Sequence, residues 1–144
     1  MSNKIKGIEF LLLAVGALAG AFLRYKMVSS PVVVATLPLN ILAVNVAGSF
    51  VLGVFSILSA AWNLDTKYFL LIAVGFCGCL TTMSSFALES LNLLDNKQFS
   101  IFGLNILANI GLSLGAIIMA RILASTVIRI GSIHNANENV VSNS

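Results

Sequence analysis

Four long apolar segments, separated by short polar stretches, make up most of the chain. They cover residues 10–23, 38–61, 68–94 and 100–124. A helix of about 20 apolar residues is long enough to cross the hydrocarbon core of a bilayer. The pattern therefore predicts four transmembrane helices, with both chain termini on the same side of the membrane.

Polar residues dominate the chain after the fourth segment. Residues 131–144 are rich in Asn and Ser and contain few large apolar side chains. A segment of this composition cannot bury enough apolar surface to fold, which predicts disorder. We therefore expect one transmembrane domain over residues 1–130, followed by a polar, disordered C-terminal tail over residues 131–144.

The overall composition supports a membrane protein. Of the 144 residues, 58% are hydrophobic and 9% are charged, whereas soluble proteins contain about 25% charged residues. So few charges cannot cover the surface of a soluble globule, which argues against a soluble enzyme, a nucleic-acid-binding protein and a disordered chain. Positive residues are only slightly more numerous on the side of the two termini, so the charge bias favours cytoplasmic termini weakly.

Residues typical of catalysis form no recognisable pattern. Cys77 and Cys79 lie within an apolar segment, and the one histidine, His134, lies in the polar tail. We interpret the two cysteines as small packing residues rather than metal ligands. The sequence contains neither a nucleophile–base pair nor a phosphate-binding loop, and the chain is predicted not to be an enzyme.

Uncharged polar residues inside the apolar segments carry the functional information, because polar groups are costly in a membrane and tend to mark pathways. In the second segment, Asn45 lies near Gly48 and Gly53, which allow a close approach of another helix. Such an amide either links two helices or lines a water-filled cavity. Both interpretations of Asn45 remain open at this point.

A polar ladder runs along the fourth segment. Asn105, Asn109 and Ser113 follow one another at intervals of four residues, so they lie on one face of a helix. A single asparagine would be typical of a link between helices. Three polar residues in a row indicate the wall of a hydrated path along the membrane normal.

Small and hydroxylated residues are concentrated at mid-membrane depth in the third segment, over residues 75–86. Glycine is a poor helix former and hydroxyl groups compete for backbone hydrogen bonds, so this composition predicts an interrupted helix. Carbonyl groups released at such a break can ligate a hard cation such as Na⁺. The alternative is a continuous helix with a small-residue packing face.

Charged residues are rare in the four segments. Arg24, at the end of the first segment, is either an interfacial anchor or a positive group that attracts an anion into a vestibule. Glu89 is expected to reach the membrane surface or to cap the end of the third helix. Glu9 lies too close to the helix end to be the mid-membrane glutamate of a small multidrug exporter. No buried relay of a proton-coupled transporter is evident.

Together these residues resemble the small fluoride channels of the Fluc/CrcB family. Three stretches carry the resemblance, at residues 16–25, 45–53 and 75–86. The third is the most specific, because it reads GFCGCLTTMSSF where the family has G-F-C-G-G-x-T-T-F-S-T-F. Cys79 therefore replaces a glycine of the family pattern, and Met83 replaces a phenylalanine.

The resemblance implies an all-α integral membrane protein with four transmembrane helices, a broken third helix and an antiparallel, dual-topology dimer. It implies passive, fluoride-selective efflux across the cell membrane of a bacterium, which relieves fluoride toxicity. Its partners would be the fluoride ion, membrane lipid and a second copy or homologue of the chain, without nucleic acid.

Site residues follow from the resemblance and from the polar positions together. The backbone carbonyls of Gly78 and Thr81 would hold a structural Na⁺, and Arg24 would stand in the vestibule. The residues expected along the fluoride pore are Asn45, Met83, Ser84, Ser85, Phe86, Asn105, Asn109 and Ser113.

Met83 leaves two interpretations of the assembly open. In the family, paired phenylalanines present their positive ring edges to the anion, and a thioether offers no comparable edge. Either a homodimer conducts with one ring per site missing, or the chain is half of a heterodimer and conducts poorly alone. The altered position and the weak charge bias slightly favour the heterodimer. A non-conducting membrane interaction subunit is a further alternative.

Overall fold

The computed structural model describes residues 3–29, 33–34 and 37–142. Within these residues, four helical spans are long and apolar enough to cross a membrane: Gly7–Val28, Leu39–Ala61, Thr66–Asp95 and Phe99–Ser132. The prediction of an all-α membrane protein with four transmembrane helices is confirmed.

The first two spans are uninterrupted helices, joined by a short hairpin. In chain order the elements are α1 (Asn3–Val28), β1 (Val33–Val34), β2 (Leu37–Pro38) and α2 (Leu39–Ala61). The two strands pair antiparallel, and the sequence analysis did not predict them. Pro38 directly precedes α2, since proline is well tolerated where a helix begins. The side chain of Asn40 donates a hydrogen bond to the carbonyl of Met27 and so links the beginning of α2 to α1.

The third span is interrupted near its middle. It consists of α3 (Thr66–Phe69), a π-helical segment (Leu70–Cys77), α4 (Gly78–Leu80) and α5 (Met83–Asp95). Thr81 and Thr82, which we call the helix break, have extended backbones with φ/ψ of −74°/153° and −149°/112°. The prediction of a broken third helix is confirmed. The π-helical segment was not predicted, because its apolar residues are equally compatible with an α-helix.

The fourth span belongs to the long helix α6 (Phe99–Ser142). This helix continues through residues 131–142, for which the composition predicts a disordered tail. The boundary between a membrane domain and a separate tail at residue 130 stays a prediction.

Glycines allow α1 and the π-helical segment to pack backbone against backbone. A Cβ atom on Gly16 would overlap with the carbonyl oxygen of Leu71, and one on Gly20 would overlap with that of Phe76. From the opposite side, a Cβ atom on Gly75 would come within 3.0 Å of the backbone of α1. The third span is therefore held against α1 at a distance that larger residues do not permit.

Helix α2 packs closely against both α6 and the helix break. A Cβ atom on Gly53 would lie 2.7 Å from the carbonyl oxygen of Ile117 in α6. One on Gly48 would overlap with the side chain of Thr81. The expectation that Gly48 and Gly53 allow a close helix approach is confirmed, and this packing brings Asn45 to the break.

Candidate functional site

Asn45 holds the helix break from the neighbouring helix α2. Its side-chain oxygen accepts a hydrogen bond from the backbone N–H of Thr82 at 2.8 Å, and its nitrogen lies 3.4 Å from the Thr82 carbonyl oxygen. In a continuous α-helix, the N–H of Thr82 would donate to the carbonyl of Gly78, four residues earlier. The amide of Asn45 therefore replaces a backbone bond and releases the Gly78 carbonyl from the helix.

Thr82 also begins the helix that follows the break. Its hydroxyl accepts a hydrogen bond from the backbone N–H of Ser85 at 3.2 Å, which is the bond of an N-capping residue. The same hydroxyl lies 3.2 Å from the Ser84 hydroxyl and donates to the Ser85 hydroxyl at 3.1 Å. Thr82 was not among the predicted site residues. A threonine directly before an apolar helical stretch is the signal that could have identified it.

A continuous series of hydrogen bonds runs from Asn45 through α6 to α5. The Asn45 nitrogen donates to the side-chain oxygen of Asn109 at 3.1 Å. The Asn109 nitrogen donates to the side-chain and backbone oxygens of Asn105, at 3.0 and 3.1 Å. The Asn105 nitrogen donates to the Ser90 hydroxyl at 3.1 Å, which donates to the Phe86 carbonyl at 2.8 Å. We call Asn45, Asn109, Asn105 and Ser90 the amide chain.

Burial explains why the amide chain is so completely paired. Asn105 is 0% exposed, Asn109 5% and Ser90 7%. Buried amides are stable only when their donors and acceptors find partners. Both hydrogens of the Asn109 amide are used on Asn105, so this side chain has no free donor left. Ser90 was not predicted, and a serine in an amphipathic helix gives no signal of such a role.

Only two of the three residues in the polar ladder predicted on α6 are hydrogen-bonded to each other. Asn105 and Asn109 contact each other directly, whereas the buried hydroxyl group of Ser113 forms no hydrogen bond within the described part of the chain. The helical spacing placed the three residues on one face, but the partners outside α6 differ: Asn109 meets Asn45 of α2, and Asn105 meets Ser90 of α5.

A cavity of about 370 Å³ lies beside the helix break. Residues from two of the three predicted groups line it, namely Asn45, Met83, Phe86, Asn109 and Ser113 from the pore and Gly78 and Thr81 from the cation site. Asn105, Ser84 and Ser85 are not among the lining residues. Asn105 lies behind Asn109 in the interior of the protein.

Arg24 and Ser85 line a second cavity, of about 400 Å³. A guanidinium nitrogen of Arg24 donates to the carbonyl of Thr81 at 3.5 Å. The arginine thus reaches the helix break, rather than serving only as an anchor at the membrane surface. Ser84 is exposed, and its only hydrogen bond among the described residues is to the Thr82 hydroxyl.

Met83 and Phe86, three residues apart at the start of α5, differ in exposure. Phe86 is 6% exposed and packs inside the protein, whereas Met83 is 71% exposed. Both side chains border the first cavity. Met83, one of the two named departures from the family pattern, therefore lies at the surface, where a second chain can contact it.

Backbone carbonyl oxygens at the helix break are candidate cation ligands. Within the described residues, no group of three or more His, Cys, Asp or Glu side chains could hold a metal ion. A released carbonyl such as that of Gly78 has the hard oxygen donor that Na⁺ requires. The Thr81 carbonyl already accepts from Arg24, and a guanidinium beside it opposes a second positive charge there.

Glu89 does not cap the end of the third helix, and its reach to the membrane surface stays a prediction. One oxygen of its carboxyl group, Oε2, is buried without a hydrogen-bond partner in the described part of the chain. The end of α5 is capped instead by Asn96, whose backbone N–H donates to the carbonyls of Asn92 and Leu94.

Comparison with known proteins identifies the family. A family model described as CrcB-like protein, Camphor Resistance (CrcB), matches residues 11–121. The chain belongs to the CrcB family. The matched residues include the three stretches at 16–25, 45–53 and 75–86 and every predicted site residue, so the resemblance noted in the sequence is confirmed.

Individual CrcB relatives match over nearly their whole length. A protein named Fluoride-specific ion channel FluC from the archaeon Nitrosopumilus maritimus is 58% identical over 124 residues, covering 86% of this chain and 98% of the relative. Proteins of the same name from Methanocaldococcus jannaschii and Koribacter versatilis are 40% and 36% identical, covering 84% and 83% of this chain and 98% and 97% of the relatives. The similarity to ion channels agrees with the prediction that the chain is not an enzyme. With an archaeal relative at this identity, the bacterial source stays a prediction.

Proposed function

We propose that this CrcB-family protein is a fluoride-selective channel that lets fluoride leave the cell passively across the cell membrane and so relieves fluoride toxicity. The relatives named as fluoride channels support fluoride as the ion that is conducted. The observation that carries the proposal for this chain is the cavity beside the helix break, which neutral polar side chains and an aromatic ring line without any carboxylate.

Fluoride is small and strongly hydrated, so a pore must replace its water with closely placed donors. Three groups at the first cavity meet this requirement. The second hydrogen of the Asn45 amide faces only the Thr82 carbonyl at 3.4 Å, which is a weak bond. The Ser113 hydroxyl has no partner in the described residues, and the edge of the Phe86 ring is positive.

Asn105 and Asn109 have a different part in this proposal from the one that the ladder predicts. Their amide hydrogens are directed to other protein groups, so they support the wall of the pore rather than bind the ion. Ser84 and Ser85 lie outside the first cavity. Ser85 borders the cavity of Arg24, whose positive charge would raise the local fluoride concentration at the entrance. Several weak sites in series let the ion enter and leave.

We further propose that two copies in opposite orientations form the channel, with a structural Na⁺ between their helix breaks. The Gly78 carbonyl, released because Asn45 takes the N–H of Thr82, supports this site. Gly78 is exposed on the single chain, so a second copy can approach it. The Thr81 carbonyl accepts only the bond of 3.5 Å from Arg24 among the described side chains, so one of its two lone pairs remains for the ion. When bound, the ion supplies a positive charge at the centre of the dimer.

The exposure of Met83 supports a second candidate, a subunit of a heterodimer. A side chain 71% exposed at the beginning of α5 can meet a partner chain. A homologous chain with phenylalanine at the equivalent position would supply the missing aromatic edge. In that case this chain alone conducts poorly.

The direct test is ion efflux from liposomes that contain the purified protein. We expect fluoride efflux to exceed chloride efflux strongly, and Phe86→Ile to reduce it, while liposomes without protein show neither. Equal fluoride and chloride efflux would contradict the proposal. Absence of efflux both for this chain alone and for this chain co-expressed with a homologous chain would support the non-conducting interaction subunit instead.

A further inference from the structure

We propose that Ser90 and Asn105 are positioning residues that set the orientation of the Asn45 amide and thereby hold the helix break open. Neither of them lines the cavity beside the break. The proposal rests on the proposed function only where it concerns ion flux. Its structural part concerns the break alone.

Backbone groups of the third span lie at both ends of the amide chain, and they determine which atom donates and which accepts in each of its hydrogen bonds. At one end is the carbonyl of Phe86, which can only accept a hydrogen bond. The Ser90 hydroxyl donates its single hydrogen to this carbonyl and is therefore left as an acceptor. At the other end is the N–H of Thr82, which can only donate, and the Asn45 oxygen faces it.

Each amide between these two ends has only one orientation that pairs donors with acceptors. Because Ser90 accepts, Asn105 must present its nitrogen to Ser90 and its oxygen to Asn109. Asn109 then presents its nitrogen to the side-chain oxygen of Asn105, beside the Asn105 backbone carbonyl that also accepts from it, and its oxygen to Asn45. A flip of any one amide would place two donors or two acceptors opposite each other at both of its contacts.

The hydrogen bond between Asn109 and Asn45 determines which atom of the Asn45 amide faces the helix break. Since Asn109 presents an oxygen, Asn45 presents its nitrogen to α6 and keeps its oxygen for the N–H of Thr82. A flipped Asn45 would offer a donor to that N–H and lose the bond. The Thr82 N–H would then be free to return to the Gly78 carbonyl, as in a continuous helix.

Burial makes these residues effective as positioning groups. Asn105 is completely buried, so water cannot replace the Ser90 hydroxyl if that group is removed. An unpaired amide in such surroundings is unstable, and without the acceptor at residue 90 nothing at that end of the amide chain distinguishes the two orientations of Asn105. The effect of a change at residue 90 is thus transmitted through three amides, those of Asn105, Asn109 and Asn45, to residue 82.

The test compares Ser90→Ala, which removes the acceptor, with Ser90→Thr, which retains a hydroxyl. Ser132→Ala is the matched control, because Ser132 also donates to a carbonyl four residues earlier, at 3.0 Å, but is exposed and lies far along α6. Asn105→Leu replaces the amide by an apolar side chain of similar size, and so removes the donor of the hydrogen bond to Ser90.

Hydrogen exchange of the Thr82 N–H, followed by NMR in lipid nanodiscs, reports on the break without any ion flux. We expect Ser90→Ala and Asn105→Leu to accelerate this exchange about fivefold or more, and Ser90→Thr and Ser132→Ala to leave it unchanged. The N–H of Trp62, bonded to Leu58 at the end of α2, serves as the internal reference. Unchanged exchange at Thr82 in both Ser90→Ala and Asn105→Leu would overturn the proposal.

Fluoride efflux measured on the same samples separates the two proposals. If Ser90→Ala lowers efflux and Ser90→Thr restores it, both the positioning role and the channel function are supported. If the wild-type protein shows no fluoride efflux but Thr82 exchange still responds to Ser90→Ala, the proposed function fails and the positioning role stands. Should Asn105→Leu not fold, the Ser90→Ala and Ser90→Thr pair decides the outcome.

Discussion

The side-chain oxygen of Asn45 lies 2.8 Å from the backbone nitrogen of Thr82, on a different transmembrane helix. This bond satisfies a backbone donor that an interrupted helix would otherwise leave unpaired within the membrane, where water is not available to pair it. The same amide borders the cavity proposed to conduct the ion. The Asn45 side chain therefore both stabilises the helix break and lines the proposed pore.

Asn45→Ala removes the partner of the Thr82 N–H and should lower both stability and fluoride efflux. A buried donor left unpaired costs about 1–3 kcal/mol, and a barrier raised by about 1.4 kcal/mol slows passage about tenfold. Thermal unfolding in detergent and liposome efflux measure the two effects. Asn96→Ala is the control, since Asn96 also uses its amide but is exposed beyond α5. Wild-type efflux in Asn45→Ala would show that the bond is dispensable.

Gly16→Ala and Gly20→Ala should each destabilise the protein by about 1–3 kcal/mol, because the added methyl group meets backbone atoms of the third span. The loss is measured as a lower unfolding temperature. Gly111→Ala and Gly103→Ala provide matched controls, since a Cβ atom at either position has nothing within 4 Å in the described residues. Equal unfolding temperatures for Gly20→Ala and Gly111→Ala would contradict the close packing.

Met83→Phe should increase fluoride efflux by the chain alone severalfold, since it restores an aromatic edge that faces the anion. The larger side chain fits because Met83 is 71% exposed. Leu88→Phe adds the same ring to the same helix at a position that is 61% exposed and should leave efflux unchanged. If Met83→Phe conducts no better than the wild type, the thioether is not what limits conduction.

Arg24→Gln should reduce fluoride efflux severalfold, since the positive charge that attracts the anion is lost. The reduction should be larger at low ionic strength, because salt screens charges over about 10 Å at 0.1 M. Efflux at two salt concentrations checks this prediction. Lys26→Gln removes a charge from an exposed neighbour on the same helix and should have a smaller effect. A reduction that does not depend on salt would indicate a structural role through Thr81.

Removal of Na⁺ should lower the stability of the dimer. An ion present at about 100 times its Kd stabilises the state that binds it by about 2.7 kcal/mol. Unfolding temperatures in Na⁺ and in a large organic cation at equal ionic strength measure the difference. Gly103→Ala, far from the helix break in the sequence, should retain the Na⁺ effect, because its added Cβ would have nothing within 4 Å in the described residues. Equal stability in the two cations would argue against the sodium site.

The four spans, the face shared by Asn105 and Asn109 and the favoured break in the third helix were predictable from the sequence. These features depend on apolar length, helical periodicity and local backbone preference, which are properties of neighbouring residues. The tertiary structure alone decided which group each polar side chain meets. Asn109 uses its donors on Asn105, Ser90 completes the amide chain, and Arg24 reaches the Thr81 carbonyl.

The physical reason is that a hydrogen bond between helices depends on how closely they pack. Glycines such as Gly48 bring α2 to the helix break, and only then can the amide of Asn45 reach residue 82. Helical spacing specifies the face on which an amide lies. Whether its donors remain free for an ion depends on partners that are distant in the sequence and adjacent only in the folded chain.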